Sequence, residues 1–239
     1  AKKVITDSDF TKAELKKVYN LTDEKIKVIP LASDGKFKKL EGKFDDVKEK
    51  YGIRSPYFLY VGTITKRRNI EMLVKAFSDL VAEKKINAQL VLAGKVVKPA
   101  WNVEKLIQKY NMKDKIIYAK YVPDDDLIKL YNKAECFVYP SLYEGFGLPP
   151  IEAMAAGCPV ISSNVTSLSE VIKDAGVLID PNDGSALKNA MEKVFTNEKL
   201  REDLISRGLK RVSMFSWENT ALQMLNTYRE IYYELKGEK

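Results

Sequence analysis

The sequence predicts an α/β fold built on a Rossmann-like, doubly wound sheet that is mainly parallel. Short apolar segments alternate with longer amphipathic segments through most of the chain. Most of the apolar segments are continuous runs, which is typical of strands that are covered on both faces of a parallel sheet. Repeated strand–helix–strand units of this kind are joined by right-handed crossovers and wind into such a sheet.

Eight segments have the length and composition of strands. They are residues 3–6, 26–31, 57–62, 89–94, 116–121, 136–141, 159–163 and 176–180. Helices are predicted between them, most clearly over residues 69–84, where apolar residues recur at three- and four-residue steps. After the last strand only helices are predicted, near residues 184–195, 197–210 and 216–235.

The composition is that of an ordinary globular protein. Of the 239 residues, 45% are hydrophobic and 31% are charged. No apolar run approaches the roughly 18–20 residues that span a bilayer, and the N-terminus has no signal-peptide core. Cys136 and Cys158 lie in apolar surroundings, so we expect buried thiols in a reducing cytosol. These features predict a cytoplasmic protein.

Charge and residue usage narrow the range of functions. The chain has no histidine, which excludes histidine-based acid–base chemistry within it and disfavours a zinc site. The net charge of +7 is explained first by a solvated, lysine-rich surface and second by attraction to phosphate groups or an anionic membrane face. No basic stripe with interleaved aromatic residues is present, so we expect no nucleic-acid partner.

The segment "SLYEGFGLPPIEAMAAGCPV", residues 141–160, carries the clearest chemical pattern. It follows a predicted strand, and ligands of doubly wound sheets bind beyond the carboxyl ends of strands. Gly145 and Gly147 allow close approach of the backbone, and Pro149 suits the first position of a helix. The free amides of Gly147 and Leu148 can then donate to an anion. A tight strand-to-helix connection explains the same glycines without any ligand.

Two glutamates flank this turn. A carboxylate repels phosphate, so we expect Glu144 and Glu152 to accept hydrogen bonds from hydroxyl groups of the same ligand. A ligand with hydroxyl groups at both ends and phosphates between them is a nucleotide sugar. Taken singly, Glu144 is also explained as a solvated loop residue, and Glu152 as a complement to the helix dipole.

A second loop supplies cations. Gly62 ends a predicted strand, and Lys66, Arg67 and Arg68 precede the next helix. Guanidinium groups pair with phosphate through two parallel hydrogen bonds. Each cation alone is explained as an exposed charge at a helix start, but the three together favour a phosphate site. The acidic run 124–126 is interpreted as helix capping rather than a metal site.

Together these blocks resemble the C-terminal, donor-binding half of the large retaining glycosyltransferase family four, which has the GT-B architecture of two Rossmann-like domains. The resemblance is carried by "VGTITKRRNIEMLVKAF", "YVPDDDLIKLYNKAECFVYPSLYEGFGLPPIEAMAAGCPVISSN" and "SLSEVIKDAGVLIDP". It implies a hexosyltransferase that moves a sugar from a nucleoside-diphosphate sugar with retention of configuration. "RRN" and "EGFGLPP" favour mannosyl-type members with GDP donors.

The resemblance also implies residue roles. Glu144 and Arg68 are the expected catalytic residues: Glu144 holds hydroxyls of the transferred sugar, and Arg68, where the family usually has lysine, neutralises the diphosphate. Many members have arginine where this chain has Thr63, so Arg67 or Lys66 is expected to substitute for it. The other residues expected around the sugar and diphosphate are Gly62, Lys66, Arg67, Gly145, Phe146, Gly147 and Leu148. Those expected around the nucleoside are Tyr121, Val122, Pro123 and Glu152, with Ser163 and Asn164 nearby.

The same resemblance implies partners and boundaries. No metal or cofactor is implied, because helix amides and basic residues take the charge of the leaving group. Residues 1–32 are expected to be a remnant of an N-terminal acceptor domain with its linker, and residues 33–239 the donor-binding domain. The expected partners are the nucleotide sugar, the missing N-terminal domain in the same or a separate chain, and peripherally an anionic inner membrane face.

The chain alone is expected to be weak or inactive as a transferase, because it lacks the acceptor wall. Two other interpretations remain open. One is a nucleotide-sugar-binding subunit of a split transferase, and the other is a sugar-nucleotide epimerase of GT-B type.

Overall fold

The computed structural model describes residues 1–42, 44–54, 56–97 and 102–237. The strands are β1 (Val4–Thr6), β2 (Ile26–Val28), β3 (Tyr57–Val61), β4 (Gln89–Ala93), β5 (Ile116–Lys120), β6 (Cys136–Tyr139), β7 (Val160–Ser163) and β8 (Val177–Ile179). The α-helices are α1 (Asp9–Tyr19), α2 (Asp45–Lys50), α3 (Ile70–Ala82), α4 (Val103–Lys109), α5 (Asp124–Lys133), α6 (Leu148–Ala155), α7 (Thr166–Ile172), α8 (Gly184–Thr196), α9 (Glu198–Val212) and α10 (Trp217–Lys236).

The predicted α/β fold with a parallel sheet is confirmed. Each of the eight predicted strands is present and is one to three residues shorter than predicted. The strands end early where the backbone leaves the extended region: Gly62 and Gly94, which were assigned to strands, have φ values of 141° and 150°. L-residues with a side chain rarely adopt such values, so these glycines end β3 and β4.

Six strands form one parallel sheet in the order β5-β4-β3-β6-β7-β8. After β3 the chain winds outward through β4 and β5, and it then returns to place β6 on the other side of β3. The winding direction therefore reverses between β3 and β6. Such a reversal opens a crevice at the carboxyl ends of these two strands, which is where such folds bind ligands.

The core of this sheet is apolar on both faces. Phe58 and Leu59 of β3 are fully buried, as are Leu73 and Phe77 on the inner side of α3. The Phe58 and Phe77 rings meet edge to face with their centroids 6.3 Å apart. Because β3 lies at the centre of the sheet, this packing fixes the position from which its C-terminal loop departs.

A second, two-stranded parallel sheet joins β1 and β2. Two strands alone are not independently stable, and here other elements support them. Thr220 of α10 donates its hydroxyl to the Pro30 carbonyl over 2.7 Å, and Glu170 of α7 accepts the Phe10 amide of α1 over 3.3 Å. We call β1, α1 and β2 the N-terminal unit; the domain boundary at residues 32/33 stays a prediction.

Across the described ranges, none of the helices is long and apolar enough to cross a membrane.

Gly94 provides a test of the packing between strand ends. A Cβ atom built on Gly94 would lie 1.8 Å from the carbonyl oxygen of Gly62, which is backbone and cannot move aside freely. We expect Gly94→Ala to lower the free energy of unfolding by about 2–4 kcal/mol, measured by urea denaturation. Gly35→Ala is the control, since no atom lies within 4 Å of a Cβ there. Equal stability of the two variants would contradict this packing.

Candidate functional site

The loops that follow β3 and β6 meet in the crevice. The Leu142 amide donates to the Arg67 carbonyl over 2.9 Å, and the Ser141 hydroxyl reaches the same oxygen over 3.3 Å. Arg67 also donates a guanidinium hydrogen bond to the Tyr143 carbonyl. We call the loop that carries Lys66, Arg67 and Arg68 the basic loop, and the loop around Gly145 and Gly147 the glycine loop. The sequence predicted them separately, and the structure joins them through their backbones.

A buried ion pair lies at the centre of this junction. Nη1 of Arg68 contacts Oε1 of Glu144, and the two side chains are only 13% and 8% exposed. Ser141 donates its hydroxyl to the same oxygen over 2.6 Å, and Nη1 of Arg67 lies 3.1 Å from it. The explanation of Glu144 as a solvated loop residue is therefore wrong. A buried carboxylate is stable only with such partners, because its desolvation is costly.

The partners of Glu144 are distributed unevenly between its two oxygens. The bonds from Arg68, Ser141 and Arg67 all reach Oε1, as does the 3.3 Å bond from the Tyr139 hydroxyl. Within the described part of the chain, no hydrogen bond or ion pair reaches Oε2. The carboxylate is thus held in place through one oxygen while the other keeps its capacity to accept a hydrogen bond.

Arg68 is oriented by an aromatic face. Its guanidinium carbon lies 5.0 Å from the centre of the Tyr139 ring, and that ring stacks on Tyr60 at 5.9 Å. Stacking of this kind suits the planar guanidinium group. Nε of Arg68 is buried and has no hydrogen-bond partner among the described residues. Arg68 therefore has one buried N–H that the described residues leave without an acceptor.

Serine hydroxyls bind the carbonyls of the glycine loop. The Ser167 hydroxyl lies 3.0 Å from both the Glu144 and the Phe146 carbonyl oxygens, and the Ser8 hydroxyl lies 2.5 Å from that of Gly145. In a trans peptide unit the N–H points opposite to the C=O. Binding the carbonyls on one side therefore turns the following amides to the other side.

The amides of residues 145–148 are unused. None of them donates a hydrogen bond to a residue that the structure describes. Helix α6 begins at Leu148, so Pro149 stands at the second helical position and not at the predicted first. Pro149 and Pro150 have no N–H, which leaves Gly147 and Leu148 as the free donors at this helix start. Free amides at a helix N-terminus form a site for an anion.

Lys66 follows β3, whereas Ser163 and Asn164 lie at the end of β7, on the far side of β6. Lys66 is exposed and opens the 3₁₀ turn Lys66–Arg68, and no described residue forms an ion pair with it. Ser163 ends β7 with its hydroxyl buried and without a partner in the described residues. Asn164 is exposed, and its amide donates to the Ile179 carbonyl over 2.7 Å.

A mostly apolar cavity of about 320 Å³ opens beside the crevice at the ends of β3, β4 and β5. Its lining is Val61, Gly62, Thr63, Ala93, Gly94, Lys95, Tyr121, Val122, Asp124 and Leu127. Two residues predicted around the nucleoside, Tyr121 and Val122, line it, whereas Pro123 and Glu152 do not. Gly62 lies between the cavity and the ion pair. It lines the cavity, and a Cβ atom built on it would lie 3.7 Å from the ring of Tyr139, which contacts both Arg68 and Glu144.

Sequence reasoning missed Lys95 and Asp124 as site residues. Nζ of Lys95 lies 4.8 Å from the centre of the Tyr121 ring, and Asp124 binds Lys36 over 2.6 Å. Lys95 follows the glycine that ends β4, so the rule that selected Gly62 would also have found it. Asp124 was set aside with its neighbours as a helix cap, but Pro123 is the N-cap and the aspartates occupy the first turn of α5.

Glu152 lies in α6, half-buried beside Tyr131, whose hydroxyl is 3.3 Å from Oε2. Burial raises the pKa of Glu152 to about 7. The Tyr131 hydrogen bond and Lys36 oppose this rise in the pKa, while the carboxylate of Asp124 adds to it. Asp124 lines the cavity, so Glu152 lies within electrostatic reach of its rim. A ligand hydroxyl that donates to Glu152 would favour the ionised form.

No group of acidic or cysteine side chains among the described residues could hold a metal ion.

Comparison with known proteins establishes the family. The family model described as "Glycosyl transferases group 1" matches residues 43–211. The chain belongs to this family. It is similar to O-antigen chain mannosyltransferase B of Escherichia coli, with 38% identity over 96% of this chain and 61% of that protein. It is also similar to the serotype-specific mannosyltransferase WbdA of Escherichia coli, with 34% identity over 92% of this chain and 26% of that protein.

A solved structure supports the same family architecture. The glycosyltransferase from Rickettsia africae ESF-5 superposes with a TM-score of 0.87 and 26% identity, over 97% of this chain and 64% of that one. The fold thus corresponds to the C-terminal half of the GT-B glycosyltransferases. The chain spans about three fifths or less of the length of these relatives, and the roles predicted for individual site residues stay predictions.

Glu152 provides a pH test of the site in this group 1 domain. Its folded-state pKa of about 7 lies above the ordinary glutamate value of 4.5, so ionisation weakens folding as the pH rises through this window and costs nothing below it. We expect Glu152→Gln to raise the free energy of unfolding at pH 8 by on the order of 1–3 kcal/mol and to leave it nearly unchanged at pH 4. Chemical denaturation at both pH values measures this, and an equal effect at both would contradict it.

Proposed function

We propose that the chain is the donor-binding half of a retaining glycosyltransferase and that its crevice binds a nucleoside-diphosphate sugar. The observation that carries the proposal is a combination: the amides of residues 145–148 and one carboxylate oxygen of Glu144 have no hydrogen-bond partner among the described residues. Amides and guanidinium groups suit a diphosphate, whereas a fixed carboxylate suits sugar hydroxyls. Few other ligands need both within one strand-end crevice.

In this proposal each part of the ligand has its own partners. The diphosphate lies against the amides of Gly147 and Leu148 and the guanidinium of Arg68. The transferred sugar donates a hydroxyl hydrogen bond to Oε2 of Glu144, the ribose donates to Glu152, and the base enters the cavity. Donors fixed before the reaction stabilise negative charge as the nucleoside diphosphate leaves, which is the largest electrostatic contribution available to such a site.

The cavity favours guanine as the base. Guanine presents N–H donors on one edge and carbonyl O6 as an acceptor. Asp124 offers a carboxylate to those donors, and Lys95 offers an ammonium group to O6, while Tyr121 supplies an aromatic face. Both Escherichia coli relatives are described as mannosyltransferases. We therefore propose GDP-mannose as the donor.

Transfer to an acceptor requires a second wall. Donor and acceptor must be held in near-attack geometry, which supplies much of the rate. We propose that this wall is an N-terminal domain in the same or another chain, as in a two-domain transferase, and that the 239 residues alone transfer sugar weakly. Membership of a glycosyl transferase family favours this interpretation over an epimerase, and it leaves a subunit of a split transferase as the related alternative.

Nucleotide binding is the first test. We expect GDP and GDP-mannose at about 100 times Kd to stabilise the protein by roughly 2.7 kcal/mol, and UDP and ADP to stabilise it less. Thermal denaturation with each nucleotide, once with EDTA and once with Mg²⁺, measures the effect. No shift with any nucleotide at saturating concentration, or a shift that needs divalent metal, would refute the proposal.

Matched glutamine variants test the two glutamates separately. Glu144→Gln places a donor NH₂ where Oε2 was, so we expect GDP-mannose affinity to fall about tenfold with GDP affinity unchanged. Glu152→Gln removes the carboxylate proposed for the ribose, so we expect GDP and GDP-mannose to lose about the same tenfold. Isothermal titration measures all four affinities. Equal losses of GDP affinity in the two variants would show that these roles are misassigned.

A further inference from the structure

The Gly145 carbonyl of the glycine loop is bound by side chains of the N-terminal unit. Residues 144 and 146 direct their carbonyls to Ser167 of α7, whereas the Gly145 carbonyl points to the N-terminal unit. Ser8 Oγ lies 2.5 Å from the Gly145 oxygen and Thr11 Oγ1 lies 3.2 Å from it. Ser8 and Gly145 are 137 residues apart in sequence.

The two hydroxyls are fixed by the start of α1. Ser8 is its N-cap and accepts the Thr11 amide over 3.1 Å, and the two hydroxyl oxygens lie 2.8 Å apart. Ser8 is only 3% exposed. Since a cap residue has a defined backbone conformation, the helix start presents both hydroxyls to the loop in one arrangement. The hydroxyls of Ser8 and Thr11 therefore contact the Gly145 carbonyl and each other at the first turn of α1.

Two further contacts join the same elements. The rings of Phe10 and Tyr143 meet edge to face with centroids 5.4 Å apart, and the Phe10 amide donates to Glu170 over 3.3 Å. Tyr143 directly precedes Glu144. The N-terminal unit therefore contacts the glycine loop both before and after the carboxylate.

We infer that Ser8 and Thr11 are positioning residues that hold the sugar-binding loop in its productive conformation. The inference rests on the proposed function and extends it to residues of the N-terminal unit. Their hydroxyls fix the peptide between Gly145 and Phe146, which orients the Phe146 amide and keeps the Glu144 backbone from turning. A displacement of α1 would release this carbonyl. Sugar binding in the C-terminal half would then depend on where the N-terminal unit lies.

The test compares two hydroxyl deletions with a matched cap deletion. Ser8→Ala combined with Thr11→Val removes both donors while nearly keeping side-chain volume. Ser216→Ala is the control, because Ser216 also caps a helix, accepting the Asn219 amide over 3.1 Å, but forms no bond to the loop. Hydrogen exchange of the Leu142 and Glu144 amides is measured without ligand, and GDP and GDP-mannose affinities are measured by titration.

We expect the double variant to exchange faster at the Leu142 and Glu144 amides, which are hydrogen-bonded, and to lose about tenfold in GDP-mannose affinity with GDP affinity within twofold of the original. Ser216→Ala should change neither quantity, and Thr11→Ser alone, which keeps its hydroxyl, should retain the original affinities.

Unchanged exchange in the double variant would overturn the positioning role, as would equal losses of affinity for GDP and GDP-mannose. A different result would refute the proposed function: the original protein binds no nucleotide, yet exchange is faster in the double variant. That result would still establish the contact between the N-terminal unit and the glycine loop.

Discussion

The buried ion pair between Arg68 and Glu144 is the interaction on which the rest of the site depends. It lies where the winding of the sheet reverses. Arg68 and Glu144 follow two strands that are adjacent in the sheet, although the two residues are 76 positions apart in the sequence. Either charge alone would be costly to bury there. Ser141, Tyr139 and Arg67 share the carboxylate oxygen, and this concentrates the favourable contacts on one side of the group.

This one-sided arrangement distinguishes the pair from a simple structural salt bridge. Oε1 of Glu144 is fully engaged and Oε2 is not, and Nε of Arg68 has no partner among the described residues. The neighbouring loop shows the same division, because its carbonyls are bound by hydroxyls and the amides of residues 145–148 donate to no described residue. The Glu144 carboxylate and this loop are therefore anchored through one set of atoms and available through another. A preorganised site of this kind needs little rearrangement to bind a ligand.

Much of this could be predicted from the sequence, for identifiable reasons. Continuous apolar runs located all eight strands, and the rule that parallel sheets bind ligands at carboxyl ends directed attention to the loops around Gly62 and Gly145. The resemblance to known transferases supplied the pairing of Glu144 with Arg68 as site residues. The ends of β3 and β4 were placed one residue too late because the predicted runs include Gly62 and Gly94, which leave the sheet with positive φ.

Other features could not be read from sequence. The bond between Ser8 and Gly145 depends on how two distant segments pack, and no local pattern marks it. The pKa of Glu152 depends on burial beside Tyr131 and on the Asp124 carboxylate, which only the folded chain brings near. The sequence around Asp124 predicts the start of a helix. That interpretation accounts for the residue without a ligand, so it did not indicate that Asp124 lies on the cavity wall.

In the proposed function, the free amides of Gly147 and Leu148 receive the diphosphate. Nuclear magnetic resonance of the ¹⁵N-labelled protein during titration with GDP tests it most directly, because an amide proton that donates to an anion moves downfield. We expect saturable downfield shifts for Gly147 and Leu148 and none for Gly237, which follows the C-terminal end of α10. Saturable GDP binding that leaves the amides of Gly147 and Leu148 unshifted would contradict it.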